Sequence, residues 1–309
     1  MTDRPGRLML LDSASMYFRA FYGVPEITAP DGTPVNAVRG LLDFIARLVG
    51  DYRPTHLVAC WDNDWRPQWR VDLLPSYKAH RVEAERTGAP DVEEVPDPLE
   101  VQVPIIREVL DAFGICVVGA DGYEADDVIG ALATQARQPV DIVTGDRDLF
   151  QLVDDDADVR VLYIARGVGN HERVTNDWVR AKYGINARQY ADFATLRGDA
   201  SDGLPGVAGI GEKTAATLLG RFGDMSGIVA AAHDPASDLG PGPRGKLKAA
   251  AAYLEVAPRV VAVARDLDLG PPDTRLPAEP RDLPLVVDLG TRWGLESPVQ
   301  RLTAALRAR

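Results

Sequence analysis

Tyr123-Glu124-Ala125-Asp126-Asp127 places three carboxylates within four residues. The apolar run Ile115-Cys116-Val117-Val118 precedes it, and the helical pattern Val128-Ile129-Gly130-Ala131-Leu132-Ala133 follows. Strand, acids, helix in that order puts negative charge at the carboxyl end of a strand, where open α/β sheets bind ligands. Carboxylates this close repel one another, and two sharing a site raise a pKa. A hard divalent cation, which takes oxygen ligands, removes the conflict. Ordinary helix capping is the alternative, because acids favour the first helical turn. On these five residues alone the two readings are level, and the remaining acids decide.

Three other apolar runs also end in acids. They are Leu8-Met9-Leu10-Leu11-Asp12, His56-Leu57-Val58-Ala59-Cys60-Trp61-Asp62, and Val140-Asp141-Ile142-Val143-Thr144-Gly145-Asp146-Arg147-Asp148. Between them lie helical stripes, with Val38, Leu41, Leu42, Ile45, Leu48 and Val49 in one and Ile105, Ile106, Val109 and Leu110 in another. Strands alternating with helices imply a parallel, doubly wound sheet, so the fold class is α/β. The strand ends of such a sheet converge on one edge. Asp12, Asp62, Glu124 and Asp146 then meet there, with Asp126, Asp127 and Asp148 brought in by short spacing. Asp199 and Asp202 join from a later glycine-rich turn. One strand-end acid among 46 is unremarkable, but four in succession are hard to place on a solvated surface. An all-carboxylate site without His or Cys selects Mg²⁺ or Mn²⁺ over Zn²⁺. Two such ions about 4 Å apart suit in-line displacement at a phosphodiester, which fits a chain without a Ser-His-Asp arrangement.

The 309 residues are enough for one large domain or two ordinary ones. No run approaches the roughly 18 apolar residues of a membrane span, and the N-terminus lacks a signal-peptide pattern. Cys60 and Cys116 sit in apolar runs and are expected as reduced core thiols of a cytoplasmic protein. The net charge of −12 by itself argues against nucleic acid. The objection weakens if many of the acids serve one metal site, where two divalent ions return about four charges.

From Trp65 to Val103 the register changes. Trp65, Arg66, Trp69 and Arg70 lead into the basic and aromatic group Tyr77, Lys78 and Arg81, for which a solvated helix face is the alternative. The stretch 83–98 is acidic and proline-rich, an expected mobile excursion from the sheet. In the segment 13–22 the aromatics with Arg19 read mainly as core, with stacking on unpaired bases as the functional alternative. After Thr175 the pattern turns helical, over 176–183, 186–196 and 214–222. Five glycines from Gly198 to Gly211 precede Lys213 and Thr214, and such a loop at a helix N-terminus offers N–H groups to phosphate. Residues 234–245 are expected to be loose, and 246–267 helical with a break at Pro258. The stretch after Gly270 is expected to be irregular up to a terminal helix at 302–306, with no assignable chemistry.

The strand-end acids, Tyr123-Glu124-Ala125-Asp126-Asp127, Thr144-Gly145-Asp146-Arg147-Asp148, and Gly198-Asp199 with Asp202 before the glycine-rich turn together resemble the bacterial flap endonuclease / 5′-3′ exonuclease family. The match runs from about Leu8 to Leu219 and is similar to the 5′-nuclease domain of bacterial DNA polymerase I. The chain looks like a free-standing member. The resemblance implies a PIN-like nuclease core over 1–175 with a helical arch at about 65–103. It implies a helical DNA-binding region over 176–309, with a helix–three-turn–helix module at about 190–222. Asp12, Asp62, Glu124 and Asp126 would surround one Mg²⁺ or Mn²⁺, and Asp146, Asp148, Asp199 and Asp202 a second, with Asp127 lining the site. Tyr77, Lys78 and Arg81 match arch-base residues that stack on and charge-pair with DNA, and Arg19 is a further expected DNA contact. Gly206, Gly209 and Gly211, with Lys213 and Thr214, match the turn that holds the duplex backbone. K⁺ at that turn would take Ser201 and nearby carbonyls. The implied partners are branched or nicked duplex DNA with a 5′ flap, which RNA can prime, and a DNA polymerase or ligase. A monomer associated with the nucleoid, and no membrane, is expected. Family arches tend to be basic, whereas this one carries Glu83, Glu85, Asp91, Glu93, Glu94 and Asp97. A non-catalytic DNA-structure-binding protein on the same scaffold is the competing reading, but it should have lost a metal ligand and none is missing. RNA-directed PIN nucleases, a third class, are short and lack the duplex-gripping turn.

Overall fold

The computed structural model describes residues 6–84 and 91–309. Its strands are β1 (Leu8–Asp12), β2 (His56–Trp61), β3 (Val82–Ala84), β4 (Val92–Glu93), β5 (Cys116–Gly119), β6 (Val140–Thr144), β7 (Val159–Tyr163) and β8 (Glu172–Val174). Six of them form one sheet in the order β5-β2-β1-β6-β7-β8. Every neighbouring pair in it is parallel except β7 with β8. The chain winds from β1 out to β5, then returns to lay β6 on the other side of β1. The winding therefore reverses between β1 and β6, where doubly wound sheets bind ligands.

Side chains alternate between the faces of a strand. Leu8, Leu10, Val58, Cys60, Val140 and Ile142 enter one apolar core, and Met9, Leu11, Leu57, Ala59 and Val143 enter another. Both faces are covered, which is why the runs are continuously apolar. The first core continues from the helix Ala125–Gln135 into the helices of 176–261 without a break at residue 175. The second holds helices Asn36–Tyr52 and Gln102–Phe113 and also Leu276, Val286, Leu289, Leu302 and Leu306. The tail, grouped above with the DNA-binding region, thus packs on the nuclease core. It carries an unforeseen helix, Leu283–Trp293, whose Asp282 cap and Pro284 in the first turn start it.

Among its described residues the segment 65–103, expected as a helical arch, holds only short helices, at Gln68–Leu73 and Asp97–Glu100, and a 3-10 turn at Ala79–Arg81, before the helix Gln102–Phe113 begins. Between them β3 pairs antiparallel with β4, since Val82 and Val92 favour strand and the acidic stretch offers no helical stripe. Arg66 anchors this hairpin through an ion pair to Asp91 at 2.5 Å. Glu85 lies outside the described residues. Pro258 does not break its helix but sits inside Ala251–Val261, and the break falls at Ala250. Losing one backbone donor is outweighed there by burial of Leu254, Ala257, Val260 and Val261. Nor is 234–245 loose, because Arg244 donates to the carbonyls of Ala231, Ala232, Asp234, Ser237 and Leu239.

Candidate active site

Asp12 closes β1 and caps the helix Ser13–Gly23, accepting from the Ser15 backbone N–H at 3.0 Å. The Thr144 hydroxyl, at the end of β6, donates to its other oxygen at 2.6 Å. Asp62 follows β2 and accepts from the Ala125 N–H at 2.7 Å. Asp146 follows β6, and its carboxylate accepts from the Asp148 N–H at 2.9 Å. Together with Glu124, Asp126 and Asp199, these acids line one cleft of about 420 Å³ at the carboxyl edge of the sheet. Asp148 and Asp202 are buried beside it.

The arch base is fastened to the glycine-rich turn. Ser76 Oγ donates to the Gly203 carbonyl at 2.8 Å, the Lys78 N–H to the Asp202 carbonyl at 3.0 Å, and Arg81 Nη2 to the Ser201 carbonyl at 2.7 Å. Gly203 has φ +69°, and a Cβ there would meet the Ser76 carbonyl oxygen at 2.0 Å, so only glycine fits. Lys78 itself sits at φ +48°, a strained conformation for a non-glycine residue, of the kind that collects at functional sites. Its Nζ donates to Glu124 Oε1.

Burial is the main force on the acids. It pushes Asp12 up to about 7 and Asp62 to about 6, against the hydrogen bonds from Thr144 and Ala125. Asp126 and Asp148 are raised well above the carboxylate range by burial and then by neighbouring carboxylates, and Asp202 is raised by burial. Asp148 Oδ1 is buried with no hydrogen-bond partner, an arrangement that costs free energy unless something positive meets it. Among the described residues no three of these side chains close into a ready-made cage. The open cleft, its oxygen-only donors and the orphaned oxygen nonetheless fit hard divalent cations.

Several expected roles change. Asp127 does not line the cleft. It is fully buried and accepts from Arg70 Nη1 and Nη2, both at 2.7 Å, from the Ala264 N–H at 2.8 Å, and from the Glu124 N–H in a capping box. The capping alternative therefore accounts for this one acid of the opening cluster. Tyr77 is only 5% exposed and donates its hydroxyl to Glu124 Oε2 at 2.8 Å, so its ring offers no stacking surface. Ser201 already uses its hydroxyl on Asp199 and its carbonyl on Arg81, which leaves it poorly placed as a K⁺ ligand. Arg70, given no role above, is the counter-charge of the site, also reaching Glu124 Oε2 at 2.6 Å and the Val260 carbonyl at 3.0 Å. Two acids three residues apart at a helix start were its only trace in the sequence. Glu93, Arg147 and Tyr163 also line the cleft unannounced.

The turn expected to hold the duplex adjoins the acids, since Gly206 packs on Gly198 and Arg197 bonds both Asp199 and Glu212. Gly206 and Gly209 adopt positive φ, Gly211 caps the helix Glu212–Phe222, and Lys213 is exposed in its first turn. Lys246 approaches the same turn, donating to the Gly209 carbonyl at 2.8 Å. Arg19 lies against Gly145, with its Nε buried and unpartnered.

A PIN-like sheet with an acid-lined cleft at its switch point, joined to a helical module, defines a nuclease. Residues 7–184 match the 5′-3′ exonuclease N-terminal resolvase-like domain, and residues 185–283 match the 5′-3′ exonuclease C-terminal SAM fold. The chain is 62% identical over 301 residues to a 5′-3′ exonuclease of Streptomyces coelicolor, covering 97% of this chain and 100% of that one. It is 55% identical over 309 residues to one of Mycobacterium tuberculosis, covering 97% of each. The chain belongs to the 5′-3′ exonuclease family. Its fold is shared by the bacteriophage T5 flap endonuclease solved with DNA and metal ions, at 18% identity and TM-score 0.63, covering 97% of this chain and 99% of that one.

Proposed function

We propose that this nuclease hydrolyses DNA phosphodiesters at 5′ flaps and 5′ ends of duplexes, with two divalent ions, Mg²⁺ or Mn²⁺, as cofactors. The observation that carries this reading is the buried, unpartnered Asp148 Oδ1 among acids held above their ordinary pKa. Asp12, Asp62, Glu124 and Asp126 would hold one ion, and Asp146, Asp148, Asp199 and Asp202 the other. When bound, such ions supply an activated water and neutralise charge during in-line displacement. The chain's own groups prepare the cleft. Thr144 orients Asp12, and Arg70 and Tyr77 hold Glu124 so that Oε1 faces Lys78. Lys78 and Arg81 steady the scissile phosphate as its charge grows. The glycine-rich turn and Lys213 hold the duplex backbone, which fixes the distance from duplex to cut. The cellular role that fits such a substrate is Okazaki-fragment processing, beside a polymerase and a ligase.

A labelled 5′-flap duplex, incubated with Mg²⁺, Mn²⁺ or EDTA and read by product length, tests this. Cleavage at the flap junction is expected with either metal and none with EDTA. Cleavage surviving thorough chelation would refute the metal assignment, and indifference to the flap would refute the substrate assignment.

A further inference from the structure

Three cations line the cleft among the described residues: Lys78, Arg81 and Arg147. Two are committed, Lys78 to Glu124 and Arg81 to the Ser201 carbonyl and Asp202. Arg147 is different. Its side chain makes no hydrogen bond among the described residues, and its nearest opposite charge, Asp199 Oδ2, is 3.9 Å away. It is 43% exposed, so its fork of donors faces the cleft and solvent.

Arg147 leaves the end of β6, and Tyr163 ends the adjacent β7, paired in register with Thr144. Arg19 comes up beside Gly145 from the helix Ser13–Gly23, its Nη2 3.7 Å from where a Cβ on Gly145 would sit. Arg147 and Tyr163 line the cleft along this β6–β7 rim, together with Gly145. An exposed surface arginine would normally settle on an acid. Here its ion-pair partner Asp199, 3.9 Å away, is a proposed metal ligand, as are Asp146 and Asp148, so bound cations compete for the acid that Arg147 meets.

We propose that Arg147 is a phosphate-binding residue on the β6–β7 rim, gripping a backbone phosphate of the cleaved strand next to the one hydrolysed. The guanidinium matches phosphate geometry with two parallel donors, which an ammonium does not. This rests on the DNA-cleavage reading above. Arg147 then adds a grip on the cleaved strand from the sheet, through donors that make no hydrogen bond among the described residues.

The test compares wild type, Arg147→Gln and Arg147→Lys on the labelled flap duplex with Mg²⁺, together with duplex binding in Ca²⁺ across a salt series. Arg147→Gln is expected to raise KM about tenfold, the effect of one charge-assisted hydrogen-bonded pair. It should also flatten the slope of log affinity against log salt by about 0.9, one phosphate contact. Arg147→Lys should restore the slope but not the full KM, because the charge returns without the fork. Unchanged KM and slope in Arg147→Gln would overturn the proposal, as would a loss matched by a lowered Tm with the slope unchanged. Failure of the wild type to cleave would instead overturn the DNA-cleavage reading.

Discussion

At the scale of single residues, two aspartates that look alike in the chain do opposite work. Asp127 accepts four hydrogen bonds, two of them from Arg70, while Asp148 leaves one buried oxygen without any. Breaking a buried ion pair strands a charge and costs about 3 kcal/mol or more. Asp127→Asn should therefore lose about that much stability in chelator while its remaining cleavage still depends on added metal. Asp148→Asn relieves repulsion among raised acids, so its metal-free stability should hold or rise while metal-dependent cleavage collapses. Denaturant melts with EDTA, paired with the flap assay, separate the two. Equal stability losses in both variants would mean that Asp148 is structural too.

At the scale of elements, the junction of arch base and glycine-rich turn matters most. It brings Lys78 and Arg81 beside Asp202 through backbone contacts that only Gly203 permits. Gly203→Ala forces an oxygen away from its Cβ and strains a positive φ, at about 1–3 kcal/mol, and should weaken cleavage as the arch base shifts. Gly220, within helix Glu212–Phe222, has nothing within 4 Å of its Cβ position. Gly220→Ala should stabilise by about 0.5–1 kcal/mol through helix propensity. Thermal melts of the pair should move in opposite directions. A Gly203→Ala protein as stable and active as wild type would show that the junction is not needed. The arch hairpin illustrates what element patterns miss. Its acidity was readable, but its pairing of Val82 with Glu93 depends on Arg66 and Trp65 holding Asp91 from outside the hairpin.

For the whole molecule, the gathered acids link stability to pH. Asp12 is pushed up to about 7 and Asp62 to about 6, mainly by burial. A carboxyl raised above its unfolded value binds its proton more tightly when folded. Stability therefore rises as pH falls from about 7 towards about 4. Asp31 and Glu279, whose values are lowered, act below that window. In chelator, Tm should be higher near pH 5.5 than near pH 8, and added Mg²⁺ should recover the difference at the higher pH. A metal-free Tm that falls on acidification through this window would contradict the arrangement. By itself the sequence determined the winding of the sheet, the acids delivered to its edge and the position of the glycine-rich turn. Those rest on local signals, a period of two or of 3.6 and the spacing of acids after apolar runs. Only the tertiary structure decided that Asp127 serves Arg70, that Tyr77 is buried on Glu124, that Arg147 meets Asp199 only at 3.9 Å, and that the tail packs on the core. Each depends on groups dozens to hundreds of residues apart meeting in three dimensions, and burial of a charge or a ring has no periodic trace in the chain.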